Sequence, residues 1–441
     1  MTEKRYWNEK VETLPRHELE AYQLQQLREH VAWAYEHSPY YRQSFDAAGV
    51  GPDTLESLDD LRKFPFVNKQ TERERQAAVP LLGDMVAVPE EDVVFVSASS
   101  GSTGMATLSP FTAGDFDDFQ DAEARLFWAA GMRPRDRYVH ALNFTLFVGG
   151  PDVIGAQRLG ALCIWAGAIP SERLLHILKE MQPTVTWTTP SYAWFLGETA
   201  KKHGIDPATD LAIRKIIVAG EPGGSIPATR QAIEKLWNAE LYDFYGISDI
   251  FGACAGMCAV REGLHIVEDQ ILMEVLDLNT QQPVKPGEAG ELVLTTLRKK
   301  ARPMIRFRTG DIVKEFPELC PCGRTHKRFE VLGRVDDMFI VSGVNIFPSD
   351  IEYVVRNLPG LNGEYRITLY RENHLTKFEI EVEKDDLSAS ETELADQLSH
   401  RIKSRLGVRP AHVKVLPENT LPRATHKAKR VVDQREEQAT G

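Results

Sequence analysis

VSASSGSTGMATLSPFT, residues Val96 to Thr112, is the stretch around which the rest of this sequence arranges itself. It continues an apolar run, Val93 to Val96, that reads as a buried strand. Ser97, Ser99, Ser100, Ser102 and Thr103 then surround Gly101 and Gly104. Glycines let backbone N–H groups approach an anion closely, and the hydroxyls add further donors. A strand running into such a loop suits the phosphates of a nucleotide. The same composition also describes a flexible Ser/Gly linker, so its meaning depends on what accompanies it.

The chain has 441 residues, enough for two or three domains and a large core. Lys and Arg number 52 against 64 Asp and Glu, a formal charge of −12, and no long basic run concentrates the positive charge. That balance argues against nucleic acid as a partner. Met1 to Lys10 is polar and lacks the apolar segment of a secretory signal. No apolar run approaches the ~20 residues of a membrane span. A cytoplasmic protein with no membrane partner is expected. Five unevenly spaced cysteines do not make a disulfide framework.

Working outward, Leu27, Val31, Ala34 and Tyr35 recur at helical spacing and predict an amphipathic helix over Arg16 to His37. Short apolar runs then alternate with helical patterns: Tyr138–Leu142, Ala161–Ala166, Thr184–Thr189, Lys215–Ala219 and Leu241–Tyr245. This is an α/β pattern with parallel or mixed sheets. Met273–Leu278 and Glu291–Leu297 read as strands joined by turns. Beyond Gly333 a smaller unit begins. Ser349 and Glu352 form a capping-box signature for a helix reaching about Asn357. Arg366–Tyr370 and Lys377–Glu383 read as strands, Ser390 and Glu393 open a second helix that Gly407 closes, and His412–Leu416 is a last strand.

Other motifs follow the loop in a fixed order. Gly220-Glu221-Pro222 and Tyr245-Gly246-Ile247-Ser248-Asp249 each follow a strand. Then come RFRTGDI from Arg306, GRVDDMFIVSGVNIFPSDIE from Gly333, and PRATHKAKRVVD from Pro422. In this order and spacing they resemble the adenylate-forming acyl/aryl-CoA ligases, and within them the phenylacetate–CoA ligase family. The resemblance covers nearly the whole chain, including SPYYRQSFDAAGV and SLDDLRKFPFVNK near the start. It implies an α/β fold in two parts. Residues 1–333 would form a large N-terminal adenylate-forming domain of mixed β-sheets and helices. Residues 334–441 would form a small, mobile α+β C-terminal lid.

The resemblance also implies a two-step reaction. An aromatic carboxylate takes the adenylyl group of ATP, releasing pyrophosphate, and coenzyme A then displaces AMP. The charge that develops needs positioned donors, cations and Mg²⁺. Carried over position by position, Ser99, Ser100, Gly101, Ser102, Thr103 and Gly104 would cradle the pyrophosphate. Gly220, Glu221 and Pro222 would line the adenine pocket. Tyr245 and Gly246 would lie beside the base, Ser248 by the phosphate, and Asp249 on Mg²⁺. Asp311 would hold the ribose hydroxyls, Arg334 would face ribose or phosphate, and Gly343 would line the arm of coenzyme A. Lys427 would be the catalytic lysine of the lid, with Lys429 as the fallback, and Asp336 its hinge. Three departures stand out: Met105 occupies the position of the usual loop lysine, Asp249 that of the usual Glu, and His426 that of the Gly usual before the lid lysine.

The resemblance implies an acid pocket lined by Asn143 to Gly150, which is similar to the family's aromatic-plus-glycine segment. Phe144 and Phe147 would wall an aryl ring, Gly149 would leave it space, and His140 and Asn143 would read a polar substituent. A core strand end explains either Phe as well. Cys258, His265, Cys320 and Cys322 suit tetrahedral Zn²⁺, with Cys254 as the alternate ligand, and some relatives in the family have a similar Cys/His set. Cys163 reads as a small core residue. The expected partners are the aryl acid, ATP and coenzyme A, with a homodimer allowed. Two other functions stay open: transfer of the aryl group to an amine, hydroxyl or carrier thiol, and a catalytically silent nucleotide-binding protein.

Overall fold

The computed structural model describes residues 4–99, 106–142, 144, 149–221, 223–335, 337–341, 344–372, 375–385, 390–422 and 430–435. Two strands, β1 (Val93–Ala98) and β2 (Leu108–Thr112), flank the Ser/Gly loop as an antiparallel pair. An eleven-stranded sheet follows. Its strands are β3 (Arg137–His140), β4 (Leu162–Trp165), β5 (Val185–Thr188), β6 (Lys215–Val218), β7 (Glu240–Ile247), β8 (Phe251–Gly256), β9 (Leu264–Ile266), β10 (Ile271–Leu276), β11 (Ala289–Thr296), β12 (Phe307–Glu315) and β13 (Arg328–Arg334). The spatial order is β10-β11-β12-β13-β9-β8-β7-β6-β5-β3-β4. The β4-β3-β5-β6-β7 half is parallel, and the remaining pairs are antiparallel.

The parallel half explains the alternating apolar runs. Its inner strands β3, β5 and β6 are buried on both faces, so they read as continuous hydrophobic segments, with crossover helices such as Ser171–Met181 in this half. In such sheets ligands bind at the carboxyl ends of the strands. Those ends carry His140, Gly220 and Tyr245, three of the residues singled out above, together with Trp165 and Thr188. The helix Arg16–His37 forms as expected and buries Leu27, Val31 and Ala34 against the main core.

The C-terminal unit has its own core, from Phe339 to Val415, which shares no residue with the core of the large unit. It contains the hairpin β14 (Phe339–Val341) and β15 (Val344–Ile346) and a four-stranded sheet. The sheet strands are β16 (Leu361–Glu372), β17 (Leu375–Lys384), β18 (His412–Leu416) and β19 (Val431–Asp433), in the order β18-β17-β16-β19. Ser390 caps the helix Glu391–Leu406, and Gly407 ends it with φ of 76°. The capping box at Ser349 is not formed. The helix Pro348–Arg356 starts from Phe347, and the Ser349 hydroxyl donates instead to Leu332 O at 2.5 Å. That bond ties the helix to β13. Arg334, placed in the smaller unit by the sequence, is the last residue of β13 in the large sheet.

Among the described residues no helix is long and apolar enough to cross a membrane. His30 and His140 are among the imidazoles that burial keeps neutral. Burial, with Lys300 nearby, lowers His30 to about 3, and burial lowers His140 to about 4. The unfolded chain therefore binds more protons than the folded one between these values and about 6.5, and stability rises with pH across that window. His30 also pairs with Thr296 Oγ1 at 2.9 Å. Replacing His30 with Gln keeps a polar partner for Thr296 and should remove about 1.4 kcal/mol per pH unit from the slope between pH 4.5 and 6. Urea unfolding at several pH values checks this; an unchanged slope contradicts it.

Candidate nucleotide site and metal cluster

Three strands bring Tyr245, Asp311 and Arg334 together. Asp311 on β12 and Arg334 on β13 are paired in register. Arg334 Nη1 donates to Asp311 Oδ1 at 2.7 Å, and the Tyr245 hydroxyl donates to Asp311 Oδ2 at 2.5 Å. Burial and the charge of Asp311 push the Tyr245 phenol well above its usual value, so it keeps its proton and remains a donor. An ionised carboxylate offers about four acceptor sites, so one group can serve Tyr245, Arg334 and a ribose. The Tyr245 ring meets Phe329 edge-on, with centroids 5.4 Å apart.

The glycine after Tyr245 has a steric reason. A Cβ at Gly246 would lie 2.2 Å from the carbonyl oxygen of Gly252, so only glycine lets β8 fold back this tightly and bury Asp249. Gly220, at φ of 89°, turns the chain so that Glu221 meets the start of the helix Pro190–Lys202. Glu221 Oε1 accepts from Ser191 N at 2.8 Å and also from the Ser191 hydroxyl. Glu221 thus braces a helix N-terminus beside the expected adenine pocket.

The base of the Ser/Gly loop is closed by a ladder. Ser99 N donates to Thr107 O at 3.0 Å, and Thr107 N donates to Ser99 Oγ at 3.2 Å. Ser97 Oγ donates to Ser248 O at 3.4 Å, which joins β1 to the Ser248 turn. Ser100, Gly101, Ser102, Thr103, Gly104 and Met105 lie outside the described residues, as do Asn143, Phe147, Pro222, Asp336, Gly343 and Lys427.

Asp249, the expected Mg²⁺ ligand, lies in a buried cluster of charges. Its side chain is 4% exposed, and Lys69 Nζ lies 2.5 Å from both of its oxygens. Arg302 Nη2 stands 3.6 Å from Asp249 and 2.8 Å from Glu72, and Lys69 Nζ lies 3.4 Å from Glu72. Burial opposes the charge on Asp249, but Lys69 and Arg302 outweigh it and hold the carboxyl below its usual range. Burial and the neighbouring Asp249 push Glu72 up to about 7. The sequence reading missed Lys69, Glu72, Lys299 and Arg302. Lys299 is buried and donates to Ser109 Oγ at 2.7 Å, Ile250 O at 2.7 Å and Asp249 O at 3.2 Å. Its only signal in the sequence is a Lys beside apolar strand β11, where no partner can be read.

At the end of β3, the hydroxyl of Tyr138 lies 2.8 Å from His140 Nδ1. His140 Nε2 is buried without a hydrogen-bond partner among the described residues. The Phe144 ring lies 5.0 Å from His140 and stacks on Trp165 at 5.5 Å and 9°. Gly149 is buried in the following turn. A cavity of about 380 Å³ lies elsewhere, on the seam between the two units, lined by Trp194, Phe195, Leu361, Asn362 and Arg430 among others.

Cys258, His265, Cys320 and Cys322 converge, their ligand atoms all within 4.8 Å of one another. Cys258 Sγ and Cys320 Sγ are 3.7 Å apart, and Cys322 Sγ is 3.5 Å from His265 Nε2. With Zn–S near 2.3 Å and Zn–N near 2.0 Å, a tetrahedron spaces sulfurs by about 3.8 Å and sulfur from nitrogen by about 3.5 Å. His265 Nδ1 bonds to His326 O at 3.1 Å, which turns Nε2 toward the sulfurs. Cys254, the alternate ligand, packs in the main core instead. Cys163 is a partly buried thiol, pushed up to about 12 by burial.

The sequence matches the AMP-binding enzyme family over residues 43–296 and the AMP-binding enzyme C-terminal domain over 343–435. A phenylacetate-coenzyme A ligase of Thermus thermophilus is 36% identical over 447 residues, covering 96% of this chain and 98% of that one. A 2-hydroxyisobutyryl-CoA ligase in the postadenylation state, in complex with 2-HIB-AMP, superimposes with a TM-score of 0.94 at 32% identity, covering 100% of this chain and 94% of that one. The same ligase with 2-HIB-AMP and CoA in the thioesterification state gives 0.75, at 34% identity over 99% of this chain and 94% of that one. The two units here are therefore arranged as in the postadenylation state. Fold, motif order and likeness over the full length agree: the chain belongs to the AMP-binding enzymes, in the family of the phenylacetate-coenzyme A ligases.

Proposed function

We propose that this protein activates an aromatic carboxylic acid with ATP and passes the acyl group to coenzyme A. The observation that carries the reading is the Tyr245–Asp311–Arg334 cluster, built from three strands of the large sheet. In the first step a carboxylate oxygen bonds to the α-phosphorus of ATP, and the bond to the β-phosphate bridging oxygen breaks. Pyrophosphate leaves with that oxygen. In the second step the thiolate of coenzyme A attacks the acyl carbon, the bond to AMP breaks, and AMP departs.

Asp311 would hold the ribose, and Arg334, fixed by Asp311, would present its outer edge to the nucleotide. The Ser/Gly loop would receive the pyrophosphate on backbone donors. Lys427 would reach the carboxylate and α-phosphate together, which a flexible point charge suits. Closure of the smaller unit over the adenylate keeps water from it between the steps. The aromatic pair Phe144–Trp165 with His140 beneath supports an aryl acid. The formal charge of −12 disfavours nucleic acid as a partner, and the reading places the enzyme in the cytoplasm. Pyrophosphate release, measured with phenylacetate, hydroxy- and aminobenzoates and 2-hydroxyisobutyrate, tests the reading. Release that needs an aryl acid supports it; release with none of them overturns it.

The four-ligand cluster would hold one structural zinc. It would clamp the chain start to the sheet, because Arg5 and Tyr6 donate to Cys322 O at 2.8 and 3.1 Å, and Arg324 pairs with Glu12 at 2.6 Å. Metal analysis should find about one zinc per chain. Cys322→Ser should lose most of it and lower the thermal midpoint by several degrees, since binding energy at a structural site is folding energy. Zinc-free wild-type protein, purified without chelator, contradicts the assignment.

A further inference from the structure

We infer that Asp243 is a positioning residue for the nucleotide: through Ser225 it pins the stretch Gly223–Ser225 to β7 and so steadies the wall that Gly220 and Glu221 are expected to give the adenine. The inference rests on the ATP-using reaction proposed above. Its first ground is a direct bond. The Ser225 hydroxyl donates to Asp243 Oδ2 at 2.5 Å. Asp243 is buried on β7, two residues before Tyr245, and its register partner is Val218, the last residue of β6. The chain leaves β6 at that point, and Ser225 then reaches back to the neighbouring strand.

The second ground is the fit. A Cβ at Gly224 would lie 2.5 Å from Asp243 Cγ and 2.6 Å from Val218 Cγ2, so the Gly224 backbone rests directly on the carboxyl and on β6. A Cβ at Gly223 would lie 2.8 Å from Cβ of Pro190, the first residue of the helix that Glu221 braces through Ser191. Glycines permit this close packing but add chain freedom that is lost on ordering. Bonds from outside the stretch offset that cost, and Ser191 at one end and Asp243 at the other supply them. The third ground is the use made of the Ser225 hydroxyl. The helix Pro227–Trp237 starts from Ile226 with no side-chain cap, so the hydroxyl is directed to Asp243 and not to the helix. Parallel sheets hold ligands beyond the carboxyl ends of their strands, where a shift of about 1 Å is felt by the bound molecule.

Calorimetric titration with ATP and Mg²⁺, without any acid, tests the inference without turnover. Ser225 is half-buried, so Ser225→Ala leaves the core intact. It should weaken ATP binding about tenfold at unchanged stoichiometry, in the range for one hydrogen bond to a charged group. A merely destabilising change would lower the stoichiometry and leave the dissociation constant alone. Ser225→Thr, which keeps the hydroxyl, should retain most of the affinity. Asp243→Ala should lose as much as Ser225→Ala, and the double variant little more than either, because both remove the same bond. Additive losses, or wild-type affinity in Ser225→Ala, overturn the inference. Hydrogen exchange of the ligand-free protein gives an arm that needs no nucleotide. Amides of residues 223–226 should exchange at least ~10-fold faster in Ser225→Ala than in wild type, with β6 unchanged; equal rates overturn the pinning. Wild-type protein that binds no ATP overturns the ligase reading and the positioning role with it, a result distinct from a wild type that binds and a variant that binds equally well.

Discussion

Asp311→Ala is expected to lower kcat/KM for ATP by at least ~10²-fold, with the acid KM little changed. The carboxylate is the common acceptor for Tyr245 and Arg334, and its removal strips both donors as well as the ribose contact. Each hydrogen bond to a charged group contributes about 1.5–3 kcal/mol, so losing two ribose bonds alone spans ~10²-fold to ~10⁴-fold. Arg334 would also lose the partner that aims it. Asp311→Asn should fall between the two, because an amide oxygen still accepts one bond while its NH₂ faces the Arg334 guanidinium. Steady-state kinetics with ATP varied at saturating acid give the ratio. An Asp311→Ala enzyme with an ATP KM within twofold of wild type and unchanged kcat would remove the carboxylate from the nucleotide site.

Lys427→Ala should slow adenylation by at least ~10²-fold, the range for losing one donor aimed at developing charge. Transfer from a supplied acyl adenylate to coenzyme A should lose far less, because the lysine is required where the carboxylate meets the α-phosphate. Two assays of one protein separate the steps: acid-dependent pyrophosphate exchange for the first and thioester formation from synthetic acyl adenylate for the second. Equal losses in both would contradict the role. Lys429, two residues on, is the control, and its replacement by Ala should leave adenylation within a few-fold.

The parallel half of the sheet was legible because doubly buried strands are continuous apolar runs. Lys215–Val218 and Val185–Thr188 fall within a residue or two of the stretches read from the sequence. The antiparallel half was harder to read. Its strands are joined by turns, and β9, three residues long, has no pattern of its own. The pairing of Ser390 with Glu393 and the failure of the same signature at Ser349 show what tertiary structure adds. Ser349 has a carbonyl of β13 within reach, and that bond wins over a local cap. Short motifs singled out Tyr245, Asp311 and Arg334, which the fold brings together, because each sits in a sequence whose order is itself informative. They could not find Lys69 or Arg302. Their partners, Asp249 and Glu72, are separated from them by 180 and 230 residues, and only the folded chain brings the four together.

The most direct test is one complete reaction: purified protein, ATP, Mg²⁺, coenzyme A and an aryl acid, with the products weighed by mass spectrometry. The account predicts an aryl-CoA thioester formed in step with AMP and pyrophosphate, and neither product when the acid is left out. ADP and phosphate in place of AMP and pyrophosphate would contradict it. So would an adenylate that accumulates and never reaches coenzyme A.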